Sequence, residues 1–285
     1  MNIDIECVGC IVNQSARVAN AVKADEKLRE KLRLHVERLS KDFSFDENPP
    51  EIASYVYEDM AKIANKTDLY DEVKKISTEK AISFKPFLKE QLENSNDKLL
   101  TATKIAVAGN VIDLAAAVEF DLTEELEKIF DRDFSYNDVE KLRERLSTCK
   151  SVLVLGDNVG EHIFDYIYIQ TLQDLYPDIK FTYVVRGNPI INDVTIKEAK
   201  EAGFDKLCNL VDSGVNTPGF EYARSTKESQ ELFDSSDLII SKGMGNYECL
   251  TPPAREGICF LLKVKCGVVG RSLGKEIGDI ICKVV

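Results

Sequence analysis

Three short stretches of this chain gather acids, amides and basic groups at the ends of apolar runs. Ser151 to Leu155 runs into Gly156-Asp157-Asn158-Val159-Gly160-Glu161, and Phe181 to Val185 runs into Arg186-Gly187-Asn188-Pro189-Ile190-Ile191-Asn192-Asp193. Asp157, Asn158 and Asp193 offer hard oxygen ligands of the kind divalent cations take. The third stretch, Ser241-Lys242-Gly243-Met244-Gly245-Asn246-Tyr247-Glu248, sets a lysine before glycines. It lacks the G-x-x-x-x-G-K-[S/T] spacing of a P-loop. A metal at the first two stretches, with Lys242 and Arg186 as further positive charges, would suit a bound phosphate.

Each stretch also has a plainer reading. Asn158 and Glu161 have the N-x-x-E spacing of a helix capping box, worth about 1 kcal/mol. Thr195 and Glu198 repeat that spacing, so Asp193 could merely precede a helix, and Pro189 suggests a rigid turn, with a cis Asn188–Pro189 bond as one form. Lys242 could be a solvated lysine beside a glycine turn. Ala108-Gly109-Asn110-Val111-Ile112-Asp113 places an amide and an acid among apolar residues. Asn110 and Asp113 are then either a satisfied core pair or part of the pocket wall. Cys7-Val8-Gly9-Cys10 is a single CxxC, open to a second metal or a redox role, whereas a structural zinc needs four ligands. Of the two histidines, His162 beside Glu161 reads as a surface or cap residue, which gives hydrolase triads thin support.

The elements that must position these residues change character near Lys150. Before it the pattern is helical, with Leu28, Leu32 and Val36 four apart, Ile52, Val56, Met60 and Ile63 on one face, and a long candidate from Leu99 to Phe120. After it, strands are expected near 151–155, 180–186, 206–211, 237–241, 258–265 and 279–285, with helices near 159–175, 194–203 and 222–234. Strands alternating with helices imply βαβ units and right-handed crossovers. The expected architecture is α/β: a mostly parallel, Rossmann-like sheet with flanking helices over residues 97–285, and an N-terminal helical lobe over 1–96. Ligands of such sheets bind beyond the carboxyl ends of the strands, where all three stretches fall.

A chain of 285 residues buries roughly 70–75% of its unfolded surface and needs no disulfide staples. Its net charge of −12 shows no basic face for nucleic acid, so no nucleic-acid partner is expected. The acidic N-terminus lacks a signal-peptide core, and Ile105 to Phe120 is too short and polar to span a bilayer. We expect a cytoplasmic protein with no membrane partner and its eight cysteines mostly reduced.

Taken together, Gly-Asp-Asn-x-Gly-Glu (156–161), Arg-Gly-x-Pro-x-x-Asn-Asp (186–193), Lys-Gly-x-x-Asn-x-Glu (242–248) and Ala-Gly-Asn-x-Ile-Asp (108–113) resemble the damage-control phosphatases, formerly domain-of-unknown-function family 89. The likeness spans essentially the whole chain and includes Cys7 and Cys10, which the compact prokaryotic and archaeal branch carries. It implies metal-dependent hydrolysis of phosphate monoesters, sugar phosphates or damaged phosphometabolites, with Mn²⁺, Ni²⁺, Co²⁺ or Mg²⁺. By the same likeness Asp157, Asn158 and Asp193 are metal ligands and Lys242 contacts phosphate. Glu161, Asn110, Arg186 and Asn246 are pocket residues, and Lys265 is a partial match to a larger-branch lysine. For the chemistry itself, we expect Glu161 to orient or deprotonate water, with direct attack by Asp157 as the other route. The competing readings are an S-adenosylmethionine-dependent carboxyl methyltransferase, since a strand–Gly–Asp–helix turn can open a cofactor site, and a non-catalytic metal- or nucleotide-binding protein.

Overall fold

The computed structural model describes residues 1–111, 119–252 and 255–285. Ile112 and Asp113, and with them the middle of the long 99–120 helix candidate, lie outside the described residues.

The N-terminal lobe is built on helices α1 (Ile5–Ala21), α2 (Glu26–Leu39) and α3 (Pro49–Ala64). Asp25 caps α2, and Asn48 with Glu51 forms a reciprocal capping box on α3, whose first turn carries Pro49 and Pro50. Val18, Leu32, Val36, Ile52, Val56 and Met60 form its apolar centre. Ile190 and Val268, from the sheet side, join the same cluster and fasten the lobe over the loops described below. Helices α4 (Asp71–Ser83) and α5 (Lys85–Glu93), with Phe84 between them, direct Ala81, Phe84 and Leu88 into the cluster of the sheet instead.

The rest is a three-layer sandwich. After α6 (Lys98–Val111) and α7 (Glu119–Asp131) come β1 (Tyr136–Asn137), α8 (Val139–Thr148), β2 (Ser151–Leu155), α9 (Glu161–Leu175) and β3 (Lys180–Val185). Then follow α10 (Ile196–Glu201), α11 (Phe204–Leu207), β4 (Asn209–Asp212), α12 (Lys227–Ser235), β5 (Leu238–Lys242), α13 (Gly243–Leu250), β6 (Ile258–Lys263), α14 (Gly267–Leu273) and β7 (Ile280–Val284). The sheet order is β1-β7-β6-β5-β2-β3-β4, parallel throughout except for the β6–β7 pair. Side chains alternate along each strand. Val152, Val154, Tyr183 and Ile240 face the α6–α9 layer, and Leu153, Leu155, Val184 and Ile239 face the layer of α12 to α14. Both faces are covered, which is why these strands read as unbroken apolar runs.

The order makes β2 and β5 the centre of the sheet and its switch point. From β2 the chain crosses through α9 to β3 on one side, and from β5 it crosses through α13 to β6 on the other. The carboxyl ends of these two strands are the usual ligand position in such sheets. Three details depart from the sequence reading. The stretch after Lys242, expected as a loop, is helix α13. The strand expected near 206–211 is β4 at Asn209–Asp212, and residues 206–207 close the short helix α11. The Asn188–Pro189 bond is trans, and the cis bond among the described residues is Thr251–Pro252.

Among the described residues, no helix is long and apolar enough to cross a membrane.

Candidate active site

The β2 and β3 exits are knitted together by their own backbones. Val194 N–H donates to Asp157 O at 2.9 Å, Val159 N–H to Asn192 O at 2.8 Å, and Asn158 bridges Asp193 as an antiparallel pair. This places Asp157, Asn158 and Asp193 side by side, although 35 residues of chain separate the two acids at most extended separation of well over 100 Å.

Helix α6 supplies the next wall. A Cβ on Gly109 would lie 3.0 Å from the Glu161 Cα, so the glycine permits a close crossing of α6 over the start of α9. Asn110 then reaches both acids: its Nδ2 donates to Asp157 Oδ2 at 3.1 Å and to Glu161 Oε1 at 2.9 Å, while its Oδ1 accepts from Lys263 N–H at 3.1 Å. Asn158 Nδ2 donates to the same two oxygens, each at 2.8 Å. The capping role read for Asn158 and Glu161 is therefore not what the fold uses. Gly160 precedes α9 without a side-chain cap, and its N–H donates to His162 Nδ1 at 2.9 Å. His162 is buried, not superficial, and burial pushes its pKa down to about 4, so it is a neutral brace for the turn. The box at Thr195 does form, with the Thr195 N–H donating to Glu198 Oε2 at 3.1 Å.

Charge in this cluster is unbalanced. Arg186, 1% exposed, donates from Nε to Asp193 Oδ2 at 2.7 Å, and its Nη2 lies 3.8 Å from Asp157 Oδ1. One guanidinium thus serves both Asp157 and Asp193, with Glu161 a third acid close to Asp157. Burial, then Glu161 and Asp193, push the Asp157 pKa well above the carboxylate range. Burial raises Asp193 to about 6 even though Arg186 opposes it. Glu161 Oε2 and Arg186 Nη2 are buried without a hydrogen-bond partner. An orphan anionic oxygen and an orphan cationic donor in one cleft fit a cation and an oxyanion arriving together. Among the described residues no three acid, histidine or cysteine side chains already converge as a metal cage. The donor set is mixed, carboxylates and amides, as oxygen-seeking divalent ions accept.

The remaining expected residues take other places. Asn246 was expected to face the pocket, but it is fully buried and its amide is spent on the framework. It donates to Lys242 O at 2.7 Å, Gly156 O at 3.0 Å and Leu155 O at 3.4 Å, and accepts from Phe220 N–H at 2.7 Å. It ties the ends of β2 and β5 together. Lys242 is likewise fully buried and pairs with Asp165 of α9, which also accepts from Tyr183 OH at 3.0 Å. Asp165 is absent from the sequence reading; its signal was an acid one helical turn after Glu161 in an otherwise apolar run. Lys265 is exposed beyond β6, close enough to lower the Asp157 pKa. Cys7 and Cys10 are not brought to this cluster: Cys7 is buried in the lobe and Cys10 is exposed on α1, its Sγ 3.8 Å from Gln14 Nε2.

Gly243 fixes how closely the two central strand ends approach. It lies at φ +76°, and a Cβ there would sit 1.9 Å from Asp157 Oδ2. Gly243→Ala is strained in its backbone and displaces Asp157. The variant should fold, melt a few degrees lower, and lose about 100-fold or more in turnover, since misplacement by roughly 1 Å costs that much. Wild-type turnover in a folded Gly243→Ala protein would show that the Asp157 position is unimportant.

Comparison with known proteins bears on this cleft. Residues 3–281 match the damage-control phosphatase ARMT1-like domain. The chain is 31% identical to a damage-control phosphatase of Pyrococcus horikoshii over 99% of this chain and 98% of that one. It is 32% identical to a damage-control phosphatase of Archaeoglobus fulgidus, with both chains covered in full. A crystal structure of a domain-of-unknown-function family 89 protein from Pyrococcus horikoshii superposes with a TM-score of 0.92 at 30% identity, covering 100% of this chain and 99% of the other.

Proposed function

Because this chain belongs to the damage-control phosphatase ARMT1-like family, we propose that its cleft hydrolyses phosphate monoesters of small metabolites, sugar phosphates or damaged phosphometabolites, with a divalent metal. Family membership favours this reading over a methyltransferase or a purely binding protein. The observation that supports the metal is the surplus of buried carboxylate charge around Arg186, with Glu161 Oε2 left unpartnered.

Asp157, Asn158 and Asp193 would hold Mn²⁺, Ni²⁺, Co²⁺ or Mg²⁺, which when bound supplies Lewis acidity and a water of lowered pKa. The protein's own part is positioning and charge. Asn110 and Asn158 clamp the carboxylates of Asp157 and Glu161 in one orientation. Arg186 Nη2, unspent in the cleft, and the exposed Lys265 offset phosphate oxygens. Glu161 Oε2 orients the attacking water and receives its proton. Attack on phosphorus by Asp157 itself is the competing route, and trapping of a phosphorylated Asp157 would replace the water mechanism.

The test is hydrolysis of p-nitrophenyl phosphate and a sugar-phosphate panel, with Mn²⁺, Ni²⁺, Co²⁺, Mg²⁺ or chelator. Turnover should need metal and fall to background with chelator; turnover unaffected by chelator would overturn the reading. The pH dependence has a defined sign. In metal-free protein the Asp193 pKa is raised to about 6, so its contribution to stability is present at low pH and is lost as pH rises through about 6. A metal must displace that proton, so its apparent affinity should drop up to about tenfold per pH unit below about pH 6. Metal-induced shifts in melting temperature at pH 7.5 and 5.0 measure it; equal metal affinity at both would remove Asp193 from the ligand set.

A further inference from the structure

Lys242, Asp165 and Tyr183 form a line of three fully buried polar side chains beneath the cleft, a costly arrangement for any fold. Tyr183 OH donates to Asp165 Oδ2 at 3.0 Å, and the other carboxylate oxygen takes Lys242 Nζ. Burial works against charge on Lys242, yet Asp165 and then Glu161 outweigh it and hold its pKa above the ordinary lysine value. Among the described residues Lys242 pairs directly with Asp165 alone, although Glu161 and Asp157 are near enough for their charges to be felt. An ammonium has three N–H bonds. One is fixed on Asp165, and the gap toward Glu161 and Asp157 is wider than an ion pair.

We propose that Asp165 is a positioning residue: it anchors Lys242 from behind so that the remaining N–H bonds face the oxygen of a phosphate entering beside Glu161 and Asp157. The assignment rests on the phosphatase reading and gives the buried lysine its place in it. A lysine on a four-carbon stem has many rotamers, and without an anchor its point charge would collapse onto Glu161 or Asp157 and block the metal. Asp165, on the same helix as Glu161 and one turn later, holds the ammonium away from those acids. Tyr183, whose hydroxyl also lies 2.6 Å from where a Cβ on Gly156 would be, orients Asp165 and backs the loop that presents Asp157.

A double-mutant cycle tests this on the 285-residue chain loaded with Mn²⁺, with inorganic phosphate as the probe by calorimetry and with kcat and KM beside it. Lys242→Met should weaken phosphate binding about tenfold to hundredfold, the loss of one hydrogen bond to a charged group. Asp165→Asn should weaken it about tenfold and lower kcat more than it raises KM. In the Lys242→Met background, Asp165→Asn should change phosphate affinity less than about twofold, because the two act as one unit. Additive losses would overturn the assignment, as would a folded Asp165→Asn protein whose only change is a lower melting temperature. Should Asp165→Asn not fold, Tyr183→Phe keeps both charges and carries the same cycle. It should weaken phosphate binding about threefold alone, and not at all on Lys242→Met; equal losses in both backgrounds overturn the assignment. Wild-type protein that binds no phosphate with Mn²⁺ present would sink the phosphatase reading itself, a result distinct from additivity.

Discussion

Asp157→Asn is expected to abolish metal-dependent turnover while leaving the metal-free protein as stable as wild type or more so. An asparagine can turn its oxygen toward Asn110 Nδ2 and Asn158 Nδ2 and keep both hydrogen bonds that Asp157 Oδ2 accepts. It removes a charge that burial, Glu161 and Asp193 all oppose. A carboxylate whose pKa is raised on folding costs stability at neutral pH, so its loss is a gain in the metal-free state. Each kcal/mol relieved should raise the melting temperature by about 2–4 °C. The catalytic loss should exceed the roughly 10–100-fold seen when an outer-shell partner of a metal ligand is removed. The two halves are measured together: turnover with Mn²⁺, and melting with chelator and with Mn²⁺. A variant that still gains stability from Mn²⁺ as wild type does would show that Asp157 is no ligand. A metal-free melting temperature many degrees lower would show that it is structural.

Arg186→Met should have the opposite pattern, a large loss of stability that metal and acid both repair. Among the described residues Arg186 is the cation directly paired with Asp193 and Asp157. Breaking a buried pair by removing one partner costs about 3–5 kcal/mol because the other charge stays buried. At about 2–4 °C per kcal/mol, the metal-free variant should melt on the order of 10 °C lower at pH 7.5. The deficit should shrink toward pH 5, since Asp193 already titrates near 6 with Arg186 in place and rises further without it. Mn²⁺ should stabilise the variant more than wild type, as it supplies the missing positive charge. Turnover should stay low even when the fold is restored, because Arg186 Nη2 is also the unspent donor in the cleft. A deficit independent of both pH and Mn²⁺ would mean that the arginine acts through packing alone.

The parts of the fold that were legible in the chain are those where burial is local. The stretches 152–155 and 183–185 read as unbroken runs of large, largely apolar side chains because helices cover both faces of the sheet. Their ends were legible too, since Gly156-Asp157 and Arg186-Gly187 interrupt the apolar runs abruptly. Helix α13 was not legible: Gly-Met-Gly-Asn has low helix propensity, and the helix exists because Tyr247 and Leu250 pack on Leu155 and Phe260 in the layer behind. Asn158 and Glu161 matched a capping box by spacing, yet Asn158 Nδ2 donates to Asp157 and Glu161 instead, and Glu161 also accepts from Asn110 on a helix about fifty residues earlier.

By itself, then, the sequence determined the α/β class, the two loops that carry the acids, and through four motifs in order the family. Residue type and local periodicity suffice there, because they report which positions are buried and which groups bind oxygen-seeking metals. The tertiary structure alone decided which side chains meet. Lys242 reads as a phosphate-gripping lysine before glycines, and Asn246 as a pocket amide. Partners far away in the chain hold both side chains: Asp165 on α9 anchors the lysine, and the ends of β2 and β5 take up the amide. Direction depends on strand order, and the order around β2 and β5 is set by packing between segments nearly ninety residues apart, which no local pattern encodes.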